Sequence, residues 1–459
     1  MVTKNQILSL AVVEQNDLGF GIARHEGMIV FVSGALAGEQ VEARIIKVHK
    51  TYAVARTERI LTVSPLRTEP VCSHKGCGGC VWGSVTYEGE LAAKRQGVEE
   101  AMRRHGMDGV EVADVQCAAS RTGYRNKAQY PVSLSADGEV RIGFFAPKSH
   151  RVVEAADCPL QDPTFPEILE TVRGFLQKYR ISIYNEDTKS GLVRHICLRR
   201  GAVSRELLVV LVLCGSTLPH AEDLVASLRE RHEGLVGVLL NENREDTNVI
   251  FGKTFHTLWG RPYLYDTLCG VRLRLAPQAF YQVNHAAAEL LYRTAADLAD
   301  LKGDELLLDL FCGVGSIGLS MAHRVGEVVG VEIVPEAVEC ARENAHRAGI
   351  SNASFYCADA DRSDGLLSEA EAARGEPLRP DVVILDPPRR GCSADLLTFL
   401  SDLSPSKIVY ISCNPDTLAR DLARLLPCGY SLSSPVIPVN MFPLTAHVES
   451  LVCLTRQTN

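Results

Sequence analysis

No stretch of this 459-residue chain approaches the roughly 20 consecutive apolar residues that a membrane-spanning helix needs. The longest apolar runs, Leu207–Cys214 and Leu235–Leu240, fall far short, so no membrane association is expected. Met1–Leu10 has one Lys and no extended apolar core, which argues against a secretory signal and for a cytoplasmic protein. Internal repeats are missing too. With 46 % hydrophobic and 23 % charged residues, the composition lacks the bias of disordered or fibrous chains. An excess of positive charge is also absent. The net charge of −8 at first argues against a nucleic-acid partner. Its distribution weakens that argument. Leu301–Pro380 holds 7 Lys/Arg against 14 Asp/Glu, so this segment alone carries −7 and the rest of the chain is nearly neutral. Lys94–Lys127 is locally basic, with 7 basic and 5 acidic residues, and leaves room for an RNA-facing surface.

The length predicts about three domains. Fifteen cysteines are many. In a large chain with no export signal, disulfides explain them poorly, so most should be small buried hydrophobes unless they cluster at ligand spacing.

Residues 1–60 read as a small β-module. The β-rich segments Leu8–Val13, Met28–Val32, Gln40–Val48 and Tyr52–Ile60 are separated by glycine-containing turns, which suggests a barrel of the OB type. Residues 61–275 read as a central α+β domain, with a helix over Tyr87–His105. A hairpin Gln129–Ala136/Glu139–Phe145 turns at Asp137-Gly138, strands follow at Leu192–Arg199 and Leu207–Leu213, and a helix at His220–His232. Residues 276–459 alternate strand and helix. Strands at Leu306–Leu310, Val328–Val331, Ala353–Tyr356, Val382–Leu385, Lys407–Ile411 and Leu451–Leu454 imply an α/β fold, a doubly wound Rossmann-like sheet.

Chemistry-bearing residues collect where those C-terminal strands end. The first runs into Phe311-Cys312-Gly313-Val314-Gly315-Ser316-Ile317-Gly318, a glycine turn that lets a ligand approach the backbone. Glu332 closes the second strand, where a carboxylate can accept both hydroxyls of a ribose, and Asp359 follows the third. These features fit S-adenosylmethionine or a dinucleotide. The fourth strand ends in Asp386-Pro387-Pro388-Arg389, which resembles the signature of S-adenosylmethionine-dependent methyltransferases; Arg389, where those acting on exocyclic nitrogen carry an aromatic residue, disfavours amino-group methylation. Cys413 ends the fifth strand and Glu449 precedes the last. A strand-end thiol facing a carboxylate suggests covalent catalysis with a separate proton acceptor.

Taken in order, Gln278–Asn284, the Phe311–Gly318 loop, Asp386–Arg389, Ser412–Asp421 and His447-Val448-Glu449 resemble the bacterial RNA uracil-5-methyltransferase family, which forms 5-methyluridine. The resemblance implies a class I methyltransferase domain in which Gln282, Phe311, Glu332 and Asp386 line the S-adenosylmethionine pocket. It also implies Cys413 as nucleophile and Glu449 as base. The types suit the task. Carbon 5 of uracil is too weak a nucleophile until a thiolate adds at carbon 6, and a base must then remove the carbon 5 proton. The uridine must be unpaired or flipped out, and Phe280 is a candidate stacking partner.

Cys72, Cys77 and Cys80, spaced Cys-x4-Cys-x2-Cys, with the distant Cys158, suit an iron–sulfur cluster or tetrahedral zinc. Many family members hold a [4Fe–4S] cluster with a first gap one residue longer, so the resemblance implies that cluster, with zinc the lesser alternative. Gly19–Arg24 and Val30–Glu39 resemble the TRAM domain, an RNA-binding barrel. The resemblance implies that barrel and cysteines together mark the branch acting on 23S ribosomal RNA, with tRNA as the alternative. Tyr124–Lys127 and Arg141–Arg151 are candidate phosphate contacts. A non-catalytic RNA-binding protein with a retained Rossmann shell is the rival reading. Nothing in the sequence demands an obligate protein partner.

Overall fold

A computed structural model describes residues 2–16, 18–74, 76–362 and 365–457. Five strands, Ile7–Gln15, Gly21–His25, Met28–Ser33, Gln40–Val48 and Tyr52–Thr62, close into an N-terminal barrel. Strict alternation builds it. Leu8, Leu10 and Val12 point inward while Ile7 and Val13 stay exposed. Gly21, on the strand that the sequence pattern did not reveal, is needed for close approach, because a Cβ there would lie 2.6 Å from Val12 Cγ1. Leu36 anchors the barrel to the central passage by packing on Trp82 and Val85.

A seven-stranded central sheet runs, in spatial order, Thr254–Gly260, Leu235–Glu242, Leu207–Leu213, Val193–Arg200, Lys127–Leu134, Val140–Phe145 and Val152–Glu154. Helices Phe165–Lys178 and Ala221–Arg231 cover one face through an apolar cluster that includes Ile168, Val172, Leu224 and Val209. The other face is buried as well. Cys197, Leu208, Val210 and Leu239 belong to the same apolar cluster as the C-terminal strands. Both faces being covered explains why Leu207–Leu213 is apolar throughout.

The C-terminal sheet runs Ala353–Cys357, Glu327–Glu332, Leu306–Leu310, Val382–Leu385, Lys407–Ser412, Glu449–Arg456 and Tyr430–Leu432, with Ile437–Val439 also paired to Glu449–Arg456. The first five strands are parallel and the rest antiparallel. The strand order reverses between Leu306–Leu310 and Val382–Leu385. Ligands of open α/β sheets bind at the carboxyl ends around such a point.

Helix Tyr87–Arg104, read as part of the central passage, buries Val98 and Met102 in the C-terminal core and pairs Arg104 with Asp416 at 2.7 Å. The helix after the glycine turn is α-helical over Ser316–Met321 and finishes as a 3₁₀ turn, Ala322–Arg324. Among the described residues no helix is long and apolar enough to cross a membrane.

Candidate active site

At the reversal point Phe311 adopts φ +64°, the left-handed region that disfavours a residue with a side chain, followed by Gly313 at +56° and Gly315 at +79°. This turn folds the chain back so that Gly313 N–H donates to Glu332 Oε2 at 3.0 Å, while Val334 N–H donates to Oε1 at 3.0 Å. The Glu332 carboxylate is thereby fixed in one orientation at the end of its strand. Below the turn, Gly318 N–H donates to buried Asp309 Oδ2 at 2.8 Å. A Cβ at Gly318 would lie 2.9 Å from that oxygen and 2.8 Å from Val328 Cγ1, so helix and strand pack only around a glycine.

A cavity of about 540 Å³ opens there, within the size range of small-molecule sites. Gln282, Phe311, Glu332, Asp386, Cys413 and Glu449 all line it. The structure thus brings six sequence-predicted residues, from the carboxyl ends of four strands, the start of strand Glu449–Arg456 and the loop before helix His285–Ala299, to one site. Asp359 and Phe280 line it too, Phe280 with 70 % of its surface exposed at the mouth.

The electrostatics of the acidic groups are linked. Burial pushes the Asp386 carboxyl up to about 7. Glu449 is pushed to about 8, first by burial and then by Asp386, with Arg389 opposing. The Cys413 thiol is pushed to about 11 by burial, Glu449 and Asp386, and Arg389 again opposes. The free pocket is therefore hostile to anions. Any cation entering it would favour the charged carboxylates, and Arg389 is the side chain that favours the thiolate.

Sequence reasoning missed the groups that hold these side chains. Asn414 Nδ2 donates to Arg389 O at 3.1 Å and locks the Cys413 turn to the Asp-Pro-Pro-Arg turn, while Asn414 Oδ1 caps helix Pro415–Leu425. The Asn-Pro-Asp pattern was the available signal, being a helix N-cap followed by proline at the first position. Arg389 Nη2 lies 3.2 Å from His447 Nε2; burial and Arg389 hold this imidazole below its ordinary range. The neutral ring can accept that hydrogen bond. The segment leading to Glu449 is clamped from a distant part of the chain. Buried Lys94 donates to Asn440 Oδ1 at 2.6 Å and Phe442 O at 3.0 Å, and Leu444 N–H donates to buried Glu90 at 2.8 Å.

The four predicted ligand cysteines lie apart from this cavity, and they do converge. Cys72, Cys77 and Cys158 all raise the thiol of Cys80, which burial and these neighbours push up to about 12. His74 Nε2 and Asp157 Oδ1, 2.7 Å apart, join the two cysteine-bearing loops, and Cys80 and Cys158 pack on Tyr124, Leu160 and Leu444. Among the described residues no three His, Cys, Asp or Glu side chains stand close enough, as they lie, to hold a metal ion. The donor chemistry of four half-buried thiols from two loops fits a thiolate-bound centre.

The tRNA (uracil-5-)-methyltransferase family matches residues 269–457, and the TRAM domain matches residues 2–57. A Clostridium tetani protein described as an uncharacterized RNA methyltransferase is 39 % identical over 99 % of this chain and 97 % of its own. A Listeria monocytogenes protein of the same description is 38 % identical over 99 % and 98 %. Among solved structures, the Pyrococcus abyssi tRNA (uracil-54, C5)-methyltransferase with S-adenosyl-L-homocysteine superposes with a TM-score of 0.77. It is 26 % identical and covers 98 % of this chain and 100 % of its own. The sheet order, the cavity at its switch point and these likenesses agree: the chain is an S-adenosylmethionine-dependent RNA methyltransferase and belongs to the RNA uracil-5-methyltransferase family that carries an N-terminal TRAM domain.

Proposed function

We propose that this enzyme acts in the cytoplasm on carbon 5 of a uridine in 23S ribosomal RNA, through a covalent adduct between Cys413 and carbon 6. The observation that supports this most is the shared cavity, where the Glu449 carboxyl acts on the Cys413 thiol beside the Asp386 wall. Gln282, Phe311, Glu332 and Asp386 hold S-adenosylmethionine, which supplies an electrophilic methyl group. Glu332, pinned by two backbone N–H groups, keeps lone pairs free for ribose hydroxyls. The Cys413 thiolate, favoured by Arg389, adds to carbon 6 and moves electron density onto carbon 5. After carbon 5 has taken the methyl group, Glu449 removes its proton, and the electrons released expel Cys413. Glu449 must be ionised at that step. A cationic cofactor in the pocket lowers its proton affinity, whereas the thioether product does not.

The same reading assigns Cys72, Cys77, Cys80 and Cys158 to an iron–sulfur cluster of [4Fe–4S] type. It also takes residues 1–60, 61–275 and 276–459 as barrel, central domain and catalytic domain. A tRNA target is the second reading, and a specific observation favours it: the Pyrococcus tRNA enzyme matches the chain over its full length, barrel included. Possession of the barrel therefore does not separate the two RNA classes. The deciding experiment uses RNA from cells lacking the gene, incubated with the purified enzyme and methyl-labelled cofactor. Labelled 5-methyluridine in 23S rRNA supports the first reading, and label confined to tRNA supports the second. Label on a base amino group or only on protein would sink both.

A further inference from the structure

A second cavity, of about 520 Å³, lies in the central domain and plays no part in the methyl-transfer chemistry. One wall is made of rings. Phe145 meets His195 edge-on at 6.3 Å, and Tyr184 carries the Arg194 guanidinium 4.7 Å over its face. His195 is buried, and its Nδ1 has no hydrogen-bond partner in the fold; Arg194 is buried with an unpartnered Nε. Exposed Arg141 and Arg151 stand at the rim, and exposed Asp187 and half-buried Glu186 also line the cavity, the Glu186 carboxylate lying 3.6 Å from Arg194 Nη2 and 3.8 Å from Lys189 Nζ.

The cavity shares a sheet face with the catalytic domain. In the antiparallel register Pro131 pairs with His195, Gln129 with Cys197 and Lys127 with Arg199, so His195, Cys197 and Arg199 point the same way. Cys197 is packed in the catalytic domain's core, and Arg199 donates to Ala276 O at 2.6 Å and Ala279 O at 3.0 Å, next to Phe280. Ser133 pairs with Arg141, which brings the rim onto that face. The strand starts beside the active site, where Asn126 Nδ2 donates to Gln282 O at 2.9 Å. Five to eight residues later it reaches the second cavity, about 17–26 Å away at strand rise. Several nucleotides of single-stranded RNA bridge that distance.

We propose that this cavity is a second base-binding site, which takes an unpaired guanine of the RNA strand whose uridine occupies the catalytic pocket. The inference rests on the RNA methyltransferase reading and deepens it. The rings offer a stacking wall and the rim arginines offer phosphate contacts. The carboxylates inside repel a phosphate but accept hydrogen bonds from the N1–H and amino group of guanine, which uracil cannot match. Burial and Arg194 hold His195 down at about 4, so it meets the base as a neutral ring.

The test measures fluorescence anisotropy of a labelled 12-nucleotide oligouridylate against the same strand with one central guanosine. The guanosine strand should bind at least about fivefold tighter, the scale of one net hydrogen bond that uracil cannot make. Phe145→Ala and Glu186→Gln should each abolish the preference while keeping oligouridylate and S-adenosylhomocysteine affinity within about twofold of wild type. Equal affinity for both strands, or a preference that survives both variants, overturns the proposal. The two readings fail separately. Wild-type enzyme that transfers labelled methyl to RNA without the guanosine preference loses only this pocket, whereas enzyme that transfers none to RNA loses the parent function and this proposal together.

Discussion

At Cys413 and Glu449 the proposed nucleophile and base roles lead to opposite outcomes for two substitutions. Cys413→Ala removes addition at carbon 6, so turnover and any covalent adduct should both vanish. Glu449→Gln leaves addition and methyl transfer possible but blocks proton removal. A denaturation-resistant protein–RNA complex carrying the methylated base should accumulate, read as label co-migrating with protein on a denaturing gel. Normal turnover by Glu449→Gln would remove it as the base. An adduct surviving in Cys413→Ala would move the nucleophile to Cys312 or Cys392, both buried, of which only Cys312 lines the catalytic cavity. Glu449 also has a stability signature. Its carboxyl ionises near 4.5 in an unfolded chain but near 8 here, so the folded state binds more protons between those values. Stability must fall as pH rises through that window and level off above it. Glu449→Gln should therefore gain more stability relative to wild type at pH 8 than at pH 5, by a margin of up to about 4 kcal/mol, read from unfolding curves at the two pH values. An equal difference at both pH values would contradict the burial argument. The six cavity residues were legible in the sequence because each ends a strand or opens a turn beside a motif. Asn414, His447 and the Lys94–Glu90 pair were not legible in these supporting roles, since nothing local announces a partner tens to hundreds of residues away.

The elements divide in the same manner. Leu306–Leu310, Val382–Leu385 and Leu207–Leu213 are legible with their observed bounds, because short apolar runs between glycine and proline turns leave few alternatives. Helix Phe165–Lys178 escaped the sequence reading, although Ile168, Leu169, Val172, Phe175 and Leu176 recur at helical spacing along it. Helix Tyr87–Arg104 is legible as a helix, but chain order assigns it to the wrong neighbour, and pattern alone cannot name a packing partner. Its buried Lys94–Glu90 pair, 3.0 Å apart, secures the loop before Glu449, and Asn440 donates to the same carboxylate at 3.1 Å. Lys94→Met leaves Glu90 with Arg121 but removes two donors from Asn440 and Phe442. Loss of one partner of a buried pair costs about 3–5 kcal/mol, so this variant should melt several degrees lower and turn over more slowly. Unchanged thermal melting would show that the clamp is dispensable. The cysteine loops belong to the same assembly, since Tyr124 OH donates to Pro443 O at 3.1 Å and Trp82 N–H donates to Leu444 O at 3.1 Å. Anaerobic preparations should be brown, absorbing near roughly 400 nm, and Cys72→Ser should bleach them. Colourless protein with stoichiometric zinc would refute the cluster while keeping its four ligands.

Over the whole molecule, the central sheet and the catalytic sheet are not separate bodies in the energetic sense. One apolar cluster contains Cys197, Leu208, Val210 and Leu239 of the former and Leu307, Val328, Val409 and Leu451 of the latter. The barrel keeps a core of its own, Leu8, Val30, Val41 and Ala55 among its members, and meets the rest through Leu36, Trp82 and Val85. A ligand that binds only the folded catalytic domain stabilises whatever unfolds cooperatively with it, by about 2.7 kcal/mol at a hundredfold excess over Kd. S-adenosylhomocysteine should therefore protect the central sheet as well, although the catalytic cavity takes no part of that sheet's strands. The chain has two tryptophans, and Trp259 sits on the edge strand Thr254–Gly260 of the central sheet. In a Trp82→Phe variant, Trp259 fluorescence reports that sheet alone. Its melting midpoint should rise with S-adenosylhomocysteine in step with the loss of helical circular dichroism. A Trp259 transition that stays put while the dichroism midpoint climbs would mean that the shared core does not couple the two sheets, and that the central sheet and the catalytic pocket unfold independently.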